Sequence, residues 1–173
     1  MNEALKNIMT RKSVRAFTDA PVSEAQLTEL VKAGMAAPSA VDTRPWDFIV
    51  VTDKTLLGQL AKYLPHAKMT AQAAAAIVVS GDLRRQHGGE NSLFWLMDCS
   101  AATENILLAA EALGLGAVWT AVFPVAERVA VVRKLLGMPE HVIPLNLIPL
   151  GVPAGEPRAK DKYNPLQVHK NRW

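Results

Sequence analysis

The chain has very little cysteine and no long apolar run. Cys99 is the single cysteine in 173 residues, so an intrachain disulfide is excluded and a reducing cytoplasm is the expected compartment. Charged residues interrupt the longest apolar stretches, which argues against a membrane span. Glu3 and the lack of an apolar core near the N-terminus argue against a secretion signal. We therefore expect a cytoplasmic protein that folds around its own hydrophobic core.

Charge of one sign and metal-ligand clusters are scarce as well. The net charge is only +3, the cations are scattered, and no aromatic residues alternate with them, so nucleic acid is not an expected partner. The four histidines lack metal-ligand spacing with one another and with Cys99, so no metal site is expected. Gly114 and Gly116 follow a predicted helix, and Trp119 stands where a third glycine would complete a dinucleotide fingerprint. A Rossmann site is therefore not expected.

Half of the residues are apolar, enough for one domain with a substantial core. Helices are predicted over residues 2–9, 23–36, 54–63, 92–113 and 125–136, and a short helix is predicted to end at 73–76. Strands are predicted over residues 46–52, 77–80, 117–121 and 142–150. The first two are predicted to be buried, and the last is apolar. Because helices and strands alternate without strict βαβ order, we predict an α+β sandwich, a small mixed or antiparallel sheet flanked by helices.

Local signals define several of these elements. Ser23 and Gln26 form a capping box at the start of the second helix, and Gly114 provides the stop of the helix over 92–113. That helix is apolar nearly all round, so we expect it to be central and buried. Residues 84–91 are polar with paired glycines and are predicted to form a loop. From Gly151 the chain is proline-punctuated and irregular, so residues 1–150 are predicted as the domain and 151–173 as an extended arm.

Residues 11–15 place three cations and a hydroxyl within five positions. Arg11, Ser13 and Arg15 alternate, so in an extended segment their side chains would face one way. Cations and a serine hydroxyl suit a phosphate monoester, which they neutralise and orient. The alternative is a solvated basic loop.

Residues 38–46, with the sequence PSAVDTRPW, form a turn-rich segment whose small residues would let the backbone approach a flat ligand. The alternative is a turn that ends one helix and leads into a strand. One segment for a phosphate and one for a ring together suggest a phosphorylated aromatic cofactor.

These two segments resemble the signature of the nitroreductase family of FMN-dependent oxidoreductases, which reads R-[RK]-S-[VI]-R and then P-S-A-x-N-x-Q-P-W. Residues 98–119 and the final VHKNRW are similar to the same family. The resemblance implies a nitroreductase-like sandwich that forms an intertwined homodimer, with FMN across the interface. Leu166, Val168 and Trp173 near the end of the arm over 151–173 are unfavourable in solvent, so we expect the arm to pack on the partner protomer, with docking on the same protomer as the alternative.

The resemblance also implies an FMN-binding set. The residues expected at the phosphate end are Arg11, Lys12, Ser13, Lys160 and Lys162. Arg15 is expected at the pyrimidine edge of the flavin, where a cation stabilises the negative charge of the reduced ring. Solvated tail lysines are the alternative for positions 160 and 162, of which Lys162 fits the family better.

The remaining implied contacts come from three other places. Pro38, Ser39 and Ala40 are expected to touch FMN bound mainly to the other subunit. Asp42 belongs to the same loop but replaces the usual Asn, and Arg44 replaces the usual Gln, so Asp42 is expected to pair with Arg44 or Arg15 or to alter the flavin. The backbone of Thr120, Ala121 and Val122 is expected beside flavin N5, with an ordinary strand end as the alternative. Met69 is expected over the flavin, with a core position as the alternative.

The implied activity is that of an NAD(P)H-dependent flavin oxidoreductase. Hydride would pass from transiently bound NAD(P)H through flavin N5 to a nitroaromatic, a quinone or a similar conjugated acceptor in a ping-pong cycle, without a catalytic side chain. The alternatives are an FMN-binding or storage module without turnover, a specialised reductive dehalogenase-like or flavin-cleaving relative, and an interaction protein without cofactor. Cys99 is expected to be a buried inert thiol, and Asp98 a structural hydrogen-bonding residue.

Overall fold

A computed structural model describes residues 2–173, which form five α-helices around a five-stranded sheet. The helices are α1 (Glu3–Thr10), α2 (Glu24–Met35), α3 (Lys54–Tyr63), α4 (Phe94–Ala112) and α5 (Ala126–Leu136). The strands are β1 (Trp46–Val51), β2 (Ala75–Asp82), β3 (Gly116–Ala117), β4 (Thr120–Ala121) and β5 (Val142–Gly151). Short 3₁₀ helices occur at Ala40–Asp42, Lys68–Gln72 and Pro165–Gln167.

The sheet is antiparallel between all of its named strands. Its order is β1-β2-β5, and β3 and β4 both pair with the other edge of β5. A single parallel bridge joins Ser13 to Ala117 beside β3. The predicted α+β class is therefore confirmed. A mixed or an antiparallel sheet was predicted, and the named strands form an antiparallel one.

Helices cover both faces of this sheet. Residues of β5 alternate between the faces: Ile148 packs in a cluster with Leu30 and Ile106, from α2 and α4, and Leu147 packs in a second cluster with Leu57 from α3. All five of these side chains are at most 2% exposed. Because its two faces are both covered by helices, the sheet is the central layer of a three-layer sandwich. Within residues 2–173, the helices are too short or too polar to cross a bilayer.

The local helix signals correspond to real helix ends. Ser23 accepts a hydrogen bond from the Gln26 N–H while the Gln26 side chain accepts one from the Ser23 N–H, so the predicted capping box is present. α3 begins and ends at the predicted residues. Gly114 follows α4 with a φ of 71°, a conformation in which glycine avoids the strain of a side chain.

Three sequence expectations need correction. The predicted helix end at 73–76 is wrong, because Ala75 and Ala76 pair with Leu150 and Pro149 of β5, and this long-range pairing overrides the helix propensity of alanine. The first strand was expected to be buried, but β1 lies at a sheet edge and its central residues are half-buried or exposed.

The strand predicted over 117–121 is divided into β3 and β4. Residue 118 lies opposite Pro149 of β5 and donates its N–H to the Pro149 carbonyl at 3.4 Å. Because proline has no N–H, it returns no hydrogen bond at this point, and the ladder is interrupted between β3 and β4.

Candidate functional site

Six cations and one hydroxyl from the two ends of the chain line a cavity of about 270 Å³. We call it the cation cavity. Its lining residues are Arg11, Lys12, Ser13, Arg15, Arg158, Lys160 and Lys162. The structure thus brings together all the residues predicted for the phosphate end, with Arg15 beside them.

The segment after α1 reaches the cavity by lying along β3. The Val14 N–H donates to the Ala117 carbonyl at 3.0 Å, and the Val14 side chain is only 3% exposed, so its neighbours face outward. Gly116 makes this close approach possible, because a Cβ at that position would lie 2.6 Å from Val14 Cγ1. The cations are therefore positioned by the packing of the buried Val14 side chain against Gly116.

The charges of the cavity are only partly compensated. Arg11 Nε lies 3.1 Å from Glu104 Oε1, and Lys12 Nζ lies 2.7 Å from Glu111 Oε1, so α4 holds two of the cations. Across residues 2–173, no acidic side chain lies within ion-pair distance of the other four, which are Arg15, Arg158, Lys160 and Lys162. A concave site with several uncompensated cations and a serine hydroxyl matches the donor set that binds a phosphate dianion.

The Thr120–Val122 segment presents one residue to the outside. Thr120 lies opposite Leu147, and the Val122 N–H donates to the Leu145 carbonyl at 3.0 Å. Bonded and non-bonded pairs alternate along an antiparallel ladder, so Ala121 occupies a non-bonded position and its N–H and carbonyl point away from β5. The Val122 side chain is fully buried, whereas Ala121 is exposed. Of the three predicted residues, Ala121 is the one with a backbone N–H aimed outward.

The cation cavity and Ala121 share one edge of the sheet. Ser13 bridges to Ala117, and Ala121 follows four residues later, ~13 Å along extended chain. Met69 lies beside the same segment, half-buried against Val14 and Phe17. This edge suits an elongated ligand with a phosphate at one end and a ring near Ala121.

The loop over 38–44 is held in a strained conformation by its own polar contacts. Val41, Asp42 and Arg44 have φ values of 52°, 55° and 48°, in the left-handed region that non-glycine residues rarely adopt. The Ala40 N–H donates to Asp98 Oδ1 at 2.9 Å, which confirms the hydrogen-bonding role expected of Asp98. The Arg44 N–H donates to the Ser39 hydroxyl oxygen at 3.0 Å.

Asp42 pairs with Arg44, which is one of the two partners predicted for it, and not with Arg15. The Arg44 guanidinium donates through Nε to Asp42 Oδ1 at 2.7 Å, and a second bond joins Nη2 to Oδ2. The hydrogen bond from Arg44 lowers the pKa of the Asp42 carboxyl below its ordinary value. The carboxylate that replaces the usual amide is therefore neutralised within the loop itself.

The loop and the cation cavity lie along different halves of α4. Asp98, which holds the loop, is in the first half of the helix, and Glu111, which holds Lys12, is in its last turn. Glu104, which holds Arg11, and Glu111 lie six and thirteen residues beyond Asp98, which is ~9 and ~20 Å along the helix axis at 1.5 Å per residue. Within one chain, Pro38, Ser39, Ala40 and Asp42 do not line the cavity.

Two residues of this region were missed at the sequence level. Arg158 lines the cavity, and the alternation of cations at 158, 160 and 162 in an extended segment was a signal that could have found it. Arg128 donates from Nη1 to the Ala121 carbonyl at 3.1 Å. This contact joins a helix to a strand, and no sequence pattern predicts it. Cys99 is fully buried, and burial raises the pKa of its thiol, as expected for an unreactive cysteine.

Comparison with known proteins identifies clear relatives. The sequence profile of the Nitroreductase family matches residues 8–87 and 62–152. A Methanothermobacter thermautotrophicus protein provisionally named NADH dehydrogenase/NAD(P)H nitroreductase is 44% identical, over 99% of this chain and 88% of that protein. A crystal structure of a Parabacteroides distasonis protein with the same provisional name has 49% identity and a TM-score of 0.95, over the full length of both chains. A Desulfovibrio desulfuricans protein provisionally named a nitroreductase was solved in complex with FMN, with 27% identity, a TM-score of 0.84 and coverage of 100% and 99%.

Proposed function

Since this chain belongs to the nitroreductase family, we propose that it acts as an NAD(P)H-dependent oxidoreductase with FMN as its cofactor. The observation that carries the proposal is the cation cavity, whose four cations without acidic partners lie on the same sheet edge as the outward Ala121 N–H. A ligand that joins a phosphate to a redox ring fits this edge, and FMN is such a ligand.

The residues that would hold FMN have distinct roles. Arg158, Lys160 and Lys162 supply positive charge to the phosphate, and Ser13 supplies a hydroxyl donor. Arg15 extends the positive charge toward the pyrimidine edge of the ring, and Ala121 offers its backbone N–H toward N5.

FMN, when bound, accepts a hydride at N5 from NAD(P)H and passes the electrons to a conjugated acceptor such as a nitroaromatic or a quinone, in a ping-pong cycle. This chain's own residues bind and orient: the cations hold the phosphate, and Arg15 favours negative charge on the ring. The proposed hydride transfer needs no side-chain acid or base from Thr120, Ala121 or Val122, which carry no titratable group.

We further propose a homodimer in which the loop over 38–42 of one protomer completes the FMN site of the other. Its distance from the cation cavity within one chain favours this arrangement. Exposed apolar side chains support it: Leu5 and Met9 on α1 and Met97 on α4 are 47%, 63% and 60% exposed. The first part of the arm over 151–173 folds back on its own chain as far as the cation cavity, but Leu166 and Trp173 beyond it are 85% and 101% exposed, so we propose that residues 163–173 pack on the partner.

The test is the visible spectrum of the purified protein, under anaerobic conditions, before and after addition of NADPH or NADH. The expected result is a flavin spectrum that bleaches on reduction and returns on addition of a quinone or a nitroaromatic. A bound flavin that neither nucleotide bleaches would indicate a binding or storage module without turnover. Protein that stays colourless and gains no thermal stability with FMN would contradict the proposal.

A further inference from the structure

We propose that Arg128 is a positioning residue for the oxidoreductase site, which holds the Ala121 peptide and places a cation beside its outward N–H. The inference rests on the function proposed above. It assigns a role to a side chain that lies outside the cation cavity and more than one hundred residues from the cations of segment 11–15.

The fold brings Arg128 back onto the strand that precedes its helix. After β4, the Val125 N–H donates to the Val122 carbonyl at 3.2 Å, and the Arg128 N–H donates to the Val125 carbonyl at 3.0 Å. This tight connection starts α5 directly beside β4. The half-buried Arg128 side chain then reaches the Ala121 carbonyl, with 3.1 Å between Nη1 and the oxygen.

The contact compensates for a gap in the sheet. β4 has only two residues and is cut off from β3, and the Ala121 carbonyl points away from β5, so no ladder donor from β5 reaches it. Arg128 provides the donor. Since the N–H and the carbonyl of one strand residue point the same way, fixing the carbonyl also fixes the direction of the Ala121 N–H.

The guanidinium brings charge as well as a hydrogen bond. In the part of the chain that the structure describes, no carboxylate lies within ion-pair distance of Arg128. Its positive charge is therefore available on the same side as the Ala121 N–H, where it favours a bound ring that carries negative charge. We infer that Arg128 makes FMN easier to reduce while contributing little to FMN affinity.

The experiment compares Arg128→Ala, Arg128→Lys and Lys134→Ala with the parent protein. Lys134 is exposed on the same helix and lies outside the site, so its variant controls for the loss of one charge. The measurements are the FMN dissociation constant by fluorescence, the flavin midpoint potential by equilibration with reference dyes, kcat and KM for NADPH, and the melting temperature.

The expected result for Arg128→Ala is a more negative midpoint potential and a roughly three- to tenfold lower kcat, with FMN affinity within about threefold of the parent. Arg128→Lys restores the potential toward the parent value because it keeps the charge, and Lys134→Ala leaves both quantities unchanged. Equal potentials in Arg128→Ala and Lys134→Ala would overturn the inference, as would a potential for Arg128→Lys that matches Arg128→Ala. A parent protein without FMN or without reduction would instead refute the proposed function.

Discussion

The cation cavity and the loop over 38–44 differ in how their charges are balanced. In the cavity, Arg15, Arg158, Lys160 and Lys162 have no acidic partner within ion-pair distance in the described chain. In the loop, the one carboxylate and the one guanidinium neutralise each other. We therefore expect the first region to take up an anion from outside, whereas the charges of the second are already paired.

In the proposed FMN site, this difference separates two contributions to cofactor binding. We expect the cavity to supply electrostatic affinity, which depends on salt because mobile ions screen exposed charges. We expect the loop to supply shape, because its strained backbone is already fixed by Asp98 and Ser39. Substitutions in the two regions should therefore differ in kind as well as in size.

Gly116→Val should have the largest effect. A Cβ at this position meets Val14 at 2.6 Å, so the whole cationic segment must shift away from β3. We expect a loss of about 1–3 kcal/mol in the free energy of unfolding and a loss of FMN binding at concentrations that saturate the parent. Thermal unfolding with and without FMN measures both.

Gly58→Ala is the matched control, since a Cβ there meets nothing within 4 Å and the residue lies inside α3. It should raise stability by about 0.5–1 kcal/mol and leave FMN binding intact. Equal behaviour of the two glycine variants would mean that the packing of Val14 on β3 does not place the cations.

Arg15→Ala should follow in size. Loss of one charged contact is expected to weaken FMN binding by roughly 10- to 100-fold and to slow flavin reduction. The dependence of the FMN dissociation constant on salt should also become shallower, since one cation fewer is screened. The double variant Asp42→Asn/Arg44→Gln, which removes both members of the loop's ion pair and leaves the net charge of the loop unchanged, should leave that dependence unchanged. Equal salt slopes for Arg15→Ala and the parent would remove the distinction between the two regions.

Asp82→Asn should give a smaller effect that depends on pH. Asp82 accepts hydrogen bonds from Arg84 and Arg85, and Arg85 also donates to the Arg44 carbonyl at the end of the loop. The hydrogen bond from Arg84 lowers the pKa of Asp82 from 3.8 to about 2. Because the folded state prefers the charged carboxylate, its contribution to stability is present above about pH 4 and disappears as the pH falls to about 2.

We therefore expect Asp82→Asn to be less stable than the parent by about 1 kcal/mol at neutral pH, a modest value because Arg84 is more than half exposed. The difference should vanish between about pH 4 and pH 2. Urea titrations across this range measure it, and a difference that stays constant with pH would contradict the assignment.

The sequence alone predicted what depends on neighbouring residues. The capping box at Ser23, the ends of α3 and the chemistry of residues 11–15 are all local. The division of the third strand, the choice of Ala121 over Val122 and the presence of Arg158 in the cavity depend on distant segments. Pro149 interrupts the ladder, Leu145 takes the Val122 N–H, and the arm folds back onto segment 11–15. The register between strands and the contact of the arm with segment 11–15 are long-range properties that the periodicity of the sequence does not encode.

The most direct test of the central claim uses hybrid dimers. Arg15→Ala damages the cavity, and Ala40→Trp fills the loop; two affinity tags isolate dimers with one chain of each kind. If the loop of one protomer completes the cavity of the other, the hybrid retains one intact site. We predict one tightly bound FMN per hybrid dimer and none in either variant homodimer at the same concentration. A hybrid that binds no FMN would place both elements in a single chain and contradict the account.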